Sequence, residues 1–296
     1  MTCVRDVVVV CDNTLGIPGG EVDDGLALLY LLGCSDRVHI QGVCATYGNA
    51  DLARTYAATR HMMAVVAPRV PVVCGAQAGG AGACDGADLI AQRASAEGAL
   101  LSLGATTDLA LAETLHPGCL AQWGEVALMG GVTQTLVVGE RIMDELNFSV
   151  DANATCTVLA AARAGARLRI ADAQHCLPLF FEAGEFAARM DAWAREASDA
   201  VNLVIQGCRS WIDHARCFWG VNGFVGWDLL PAVALAEPEL VELVPYGVTL
   251  DPRMIGVGLL EGPVAGAPQA QVELMVPRDP ALVRAHIYAA WERALG

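Results

Sequence analysis

Lysine is absent from this 296-residue chain; all eighteen of its basic residues are arginine. That absence excludes lysine Schiff-base chemistry and the phosphate-gripping lysine of P-loop and kinase-type sites. Positive charge is scarce altogether, with 18 basic against 33 acidic residues and a net charge of −15. Nucleic acid is therefore not an expected partner, because it demands a basic footprint. No apolar run approaches the roughly 18 residues that a spanning helix needs. The opening MTCVRDVVVV lacks the basic-then-apolar order of a secretion signal and leads straight into a strand. A cytoplasmic protein without membrane contact is the expectation. The eleven cysteines include no C-x-x-C pair and no Cys/His zinc spacing. Their odd number excludes complete pairing within the chain, so they read as small core residues in a reducing compartment.

Apolar residues make up 54% of the chain and charged residues 17%, the balance of a compact enzyme rather than a disordered chain. Apolar runs alternate with helical patterns, which predicts an α/β fold with a mostly parallel, mixed central sheet flanked by helices. Strands are expected at Val7–Cys11, Val38–Thr46, Val70–Val73, Ala99–Leu103, Val126–Met129 and Leu168–Ala171. Helices are expected at Asp51–Val66, Asp108–Leu115, Ala152–Ala162 and Ala183–Arg209, with loops at Gly75–Gly86 and Thr133–Glu140. No repeat or linker interrupts the pattern, so residues 1–296 are read as one domain.

The segment Val7–Gly33, VVVVCDNTLGIPGGEVDDGLALLYLLG, carries the chemistry. It reads as a buried strand, a Gly/Pro loop, an acidic pair and an apolar helix. Asp12, Asp23 and Asp24 crowd the strand-to-helix junction, where like charges raise one another's pKa and cost stability. A hard cation removes that cost, since it wants several oxygen ligands in one place. The carboxyl end of a strand is also where ligands bind in open α/β sheets.

This segment resembles the opening of the inosine-uridine preferring nucleoside hydrolase family, a strand followed by D-x-D-x-G-x-D-D and a helix. Asp12 matches the second Asp of that motif, and Asp23-Asp24 match its terminal pair. Val10 stands where the first Asp belongs, and the loop is several residues longer. Further similar blocks follow in the family's order: TYGN at Thr46–Asn49, LGATTDLALA at Leu103–Ala112, Met129-Gly130-Gly131, Glu145-Leu146-Asn147 with Asp151, Asp172-Ala173-Gln174-His175, and Gly226-Trp227-Asp228. Together they cover residues 5–245, but the family's longer covering segment is mostly missing at Gly75–Gly86.

The resemblance implies hydrolysis of the N-glycosidic bond of a purine or pyrimidine ribonucleoside, with Ca²⁺ as cofactor and a homodimeric or homotetrameric assembly. It makes Asp12 the catalytic base and, with Asp24, Asp228 and the Leu103 carbonyl, the metal's ligand set. Asp23 and Asp24 are adjacent at a helix start, so their side chains point about 100° apart. One ion does not readily take both, so Asp23 is assigned to a ribose hydroxyl. Asn13, Asn49, Met129, Glu145, Asn147 and Trp227 are the remaining substrate-binding candidates, with Thr14 beside them. Blander roles stand against several: helix caps for Asp23 and Asp228, loop hydrogen bonds for Asn13 and Thr14, core packing for Met129 and Trp227. His175 reads as structural. Arg216, Trp219, Asn222 and Phe224 are candidates for the base pocket. Two other readings compete, a binding relative without turnover and a haloacid-dehalogenase-type phosphatase. The latter chemistry wants an Asp where Thr14 stands and a distant Lys.

Overall fold

Val7, Val9 and Cys11 belong to one apolar core, while Val8 and Val10 belong to another. Strand β1 (Arg5–Cys11) is thus buried on both faces, which is why it reads as an unbroken apolar run. The computed structural model describes residues 4–80, 82–196 and 198–296. After β1 come α1 (Asp23–Gly33), β2 (Val38–Ala45), α2 (Leu52–Val66), β3 (Val72–Cys74), α3 (Asp85–Arg93), β4 (Ala99–Ser102), α4 (Thr107–Leu115), β5 (Glu125–Met129) and α5 (Ala152–Ala160). The strand Leu168–Ala171 and the helices Ala183–Trp193, Asp199–Trp219 and Leu229–Ala236 follow. The strands Val241–Thr249 and Gln269–Pro277 and the helix Pro280–Leu295 complete the order.

Eight strands form one sheet in the order 241–249, 269–277, 168–171, β5, β4, β1, β2, β3. All neighbours pair in parallel except the first two, which run antiparallel. The fold is therefore the mixed α/β sheet expected. Helix α1 and the helices 183–193, 199–219, 229–236 and 280–295 cover one face; α3, α4 and α5 cover the other. Because the strands are parallel, Asp12, Thr46, Leu103, Gly130 and Asp172 all follow carboxyl ends along one rim.

Helix α1 is held firmly from behind. Trp291 Nε1 donates to the Leu26 carbonyl at 2.8 Å, and Arg293 Nε donates to the Gly33 carbonyl at 2.7 Å. Gly33 lies so close to the Ala290 carbonyl that no side chain fits there.

Several boundaries differ from expectation. The third strand lies at Val72–Cys74 rather than Val70–Val73. The long helix expected over Ala183–Arg209 is two helices, because Ser198 caps a new start by accepting from Val201 N at 3.2 Å. Ala197, within that span, lies outside the described residues, as does Ala81 in the Gly75–Gly86 loop. That loop ends in the start of α3, and Thr133–Glu140 includes one strand of a two-residue ribbon, Val137–Val138 with Arg141–Ile142. The strands Val241–Thr249 and Gln269–Pro277 were not among those expected; Pro245 lies in the first, at the sheet edge, where a missing donor is tolerated.

Candidate metal and substrate site

Asp12 directly follows β1 and is fully buried. Its backbone N–H donates to Asp24 Oδ1 at 3.0 Å, and its Oδ2 accepts from Asn49 N at 2.5 Å. Asn49 also donates through Nδ2 to Asp24 Oδ2 at 3.3 Å. The turn after β2 therefore clamps both carboxylates. Gly48 makes that turn at φ +154°, and a Cβ there would overlap Asp12 Oδ2. Gly104, after β4, leaves room in the same way, since its Cβ would come within 2.7 Å of Asp12 Oδ1.

Asp23, Asp24 and Asp228 bring one oxygen each to within 4.8 Å of one another, all buried. Although the two neighbours are adjacent on α1, Asp228 arrives from a different element and lies close to both. Neither aspartate serves as a helix cap. Asp228 precedes the helix 229–236 without a side-chain cap hydrogen bond, and the residue before α1 is Val22. The backbone N–H groups of Trp227 and Asp228 lie near the Asp23 carboxyl and temper the rise of its pKa.

Burial raises the pKa of every carboxyl here. Asp12 is pushed up to about 6. Asp23 is pushed up to about 7 by burial and then by Asp12. Asp24 and Asp228 are raised well above the usual range by burial and the surrounding acids. Contrast Glu125, equally buried at the far end of the sheet, which is met by both Arg5 and Arg169. No such partner reaches the aspartates among the described residues. Asp12 Oδ1 and Asp23 Oδ1 are buried without any hydrogen-bond partner. An all-oxygen set with unpaired acceptors and surplus negative charge fits a hard divalent cation.

Over the triad lies a cavity lined by Asp23, Asn49, Leu103, Met129, Glu145, Asn147, Trp227 and Asp228 among others. The sequence model of the inosine-uridine preferring nucleoside hydrolases matches residues 18–276. The chain belongs to this family. Nucleoside hydrolases act on N-glycosyl compounds, and this chain is a hydrolase of that class. No curated protein matches the chain significantly by sequence. Among solved structures, it is similar to a purine-preferring ribonucleoside hydrolase from Gardnerella vaginalis (TM-score 0.82, 16% identity, covering 98% of this chain and 99% of that one). A plant nucleoside hydrolase gives a TM-score of 0.78 at 18% identity, covering 97% and 98%. An inosine-uridine preferring nucleoside hydrolase from Bacillus anthracis gives 0.71 at 16% identity, covering 98% and 100%. At such identities the likeness establishes the fold.

Within this nucleoside hydrolase fold, several expected residues hold each other. Asn147 Nδ2 donates to the Leu103 carbonyl at 2.7 Å and to the Met129 carbonyl at 3.3 Å, so the Leu103 oxygen already has one partner. Glu145 accepts from the N–H groups of Gly131, Phe148 and Ser149 at 3.0, 2.8 and 3.0 Å. Its carboxylate pins the 145–149 turn to the Met-Gly-Gly segment. Burial still lifts its pKa to about 6.

Other expected residues stay out of the cavity. Asn13 is fully buried, donating to Met62 Sδ at 3.7 Å and accepting from Leu15 N at 3.0 Å. Thr14 donates to the Glu21 carbonyl at 2.8 Å. Both hold the long loop together. His175 pairs with Asp172, and that partner raises its pKa. Arg216 and Asn222 bond to each other at the surface, whereas Trp219 and Phe224 line a second, narrow apolar cavity. Glu21 was not anticipated. It lines both cavities, and its pKa is raised well above normal by burial and then by Asp23 and Asp12. Of the Gly/Pro loop that carries it, only Asn13 and Thr14 were singled out from the sequence.

Proposed function

We propose that this chain hydrolyses the N-glycosidic bond of ribonucleosides, with Asp12 as general base and Ca²⁺ as cofactor. One observation carries the reading: Asp12, Asp23, Asp24 and Asp228 converge without a basic partner beneath a cavity that also presents Asn49 and Asn147. Asp24 and Asp228 would hold the ion, with Asp12 and the Leu103 carbonyl beside them. When bound, the ion supplies a water of lowered pKa and a charge that fixes sugar hydroxyls.

The chain's own residues do the rest. Asp12, steadied by Asn49 N–H, takes the proton from the attacking water as C1′ gains positive character. Asp23 accepts a ribose hydroxyl, or joins the ion's ligands in its absence. Asn147 and Met129 face the sugar, and Trp227, only 8% exposed, offers its ring to the base. Release of free ribose from inosine and uridine, with EDTA and after Ca²⁺ is restored, tests the reading. Release that stops with EDTA and returns with Ca²⁺ is expected. Absence of release at saturating Ca²⁺ points to a binding protein without turnover.

A further inference from the structure

Leu15, in the long loop after β1, is wedged between glycines of two different helices and is 1% exposed. A Cβ on Gly25, in α1, would lie 2.9 Å from Leu15 Cβ and Cδ2. A Cβ on Gly207, in the helix Asp199–Trp219, would lie 2.5 Å from Leu15 Cδ1. Glycine weakens a helix interior relative to alanine, so both positions give up helix propensity for a close approach. The loop continues along the same helix. A Cβ on Gly16 would meet Leu203 Cδ1 at 3.0 Å, and Gly19 N donates to Ser210 Oγ at 2.8 Å. Leu203, Gly207 and Ser210 are spaced by four and three residues, which places them one above another on a single helix face.

The two helices carry different halves of the site. Helix α1 begins with Asp23 and Asp24, whereas the helix Asp199–Trp219 supplies Trp211 and Trp219 to the wall of the second cavity. The cavities adjoin, since Met143 and Trp227 line both. Resting on the hydrolase reading above, we propose that Leu15 is a positioning residue: it fixes the aromatic wall against the acidic helix, and so sets how a base is gripped once its sugar is seated at the aspartates. Leu15 acts through Trp211 and Trp219 rather than on the reacting atoms. The extra length of the loop, where the chain departs from the family pattern, thereby becomes a spacer between sugar site and base site. A two-ring base reaches further from C1′ than a one-ring base, so purine ribosides depend on this spacing more than pyrimidine ribosides.

The test is Gly207→Ala, whose methyl group must push Leu15 aside although alanine favours the helix itself. Inosine and uridine are compared in the Ca²⁺-loaded protein, with KM and kcat from ribose release and Kd from quenching of tryptophan fluorescence. Ca²⁺ affinity is read separately by calorimetry. KM and Kd for inosine should rise roughly tenfold, the scale of a base stacked on an aromatic ring. Uridine should be affected less, and kcat and Ca²⁺ affinity should stay unchanged. Adding Leu15→Val, which lacks the clashing Cδ1, should restore inosine binding. Ser210→Ala, which only unties Gly19, should shift inosine in the same direction and serves if Gly207→Ala does not fold. An inosine Kd that neither Gly207→Ala nor Ser210→Ala moves overturns the proposal and leaves the hydrolase reading standing. So does a loss shared equally by inosine, uridine and Ca²⁺, or one that Leu15→Val fails to recover. Weakened and rescuable inosine binding in a protein that releases no ribose supports the role of Leu15 and sinks the hydrolase reading instead.

Discussion

The backbone N–H of Asp12 is bonded to the side chain of Asp24 at 3.0 Å, latching the end of the first strand to the start of the first helix. The two carboxylates are thereby fixed before any ion arrives, and the protein carries the cost of their repulsion itself.

Asp12→Asn keeps the shape and the Asn49 contact but removes the base. We expect kcat to fall by roughly 10² to 10⁴, the usual worth of a positioned base. Steady-state ribose release measures it, and a variant with undiminished kcat would remove Asp12 from the role.

Asp12 and Asp23 have pKa values raised to about 6 and about 7, and Asp24 and Asp228 are raised further. Folded, these groups hold protons that the unfolded chain has released above about pH 4. Stability of the ion-free protein must therefore fall as pH rises through 6 and 7. Melting temperatures in EDTA should drop across pH 5 to 8, and the increment from Ca²⁺ should grow over the same range. A flat EDTA profile would contradict the burial of unpaired carboxyls.

Gly48→Ala places a methyl group on Asp12 Oδ2 at a φ of +154°. Overpacking of this kind costs about 1–3 kcal/mol, and here it also displaces the base. Urea denaturation should show the loss, and activity should collapse along with it. Retention of full activity would mean that the turn yields without moving Asp12.

Glu145→Ala leaves three N–H groups, of Gly131, Phe148 and Ser149, without their acceptor. Each buried donor left unpaired costs about 1–3 kcal/mol, less where water reaches it. Glu145→Gln, with one carbonyl oxygen, should recover part of the loss. Equal stability of the two variants would argue that the turn holds without the carboxylate.

The acidic junction was legible because it is local: strand, loop and helix start lie within 27 residues. Asp228 and Asn147 were found only through the order of blocks, since nothing near them in sequence announces a ligand. The assignment of Asp23 away from the ion came from the angle between neighbours on a helix, which says nothing of a third carboxylate arriving from another element. Asn13 and Thr14 were placed by proximity to Asp12, but their side chains bond within the loop. Glu21 escaped notice because no block of the family pattern falls on the lengthened part of the loop. The edge strand with Pro245 escaped because propensity speaks for a central strand and not for a border.

Helix Pro280–Leu295 contains none of the site's residues, yet it follows every one of them in the sequence and grips the helix that carries Asp23 and Asp24. During synthesis, then, the first acids to leave the ribosome wait longest for their final support. A nascent chain halted before residue 280 presents the whole acidic set with its backing absent. Ion capture should accordingly follow the docking of this helix rather than guide early folding.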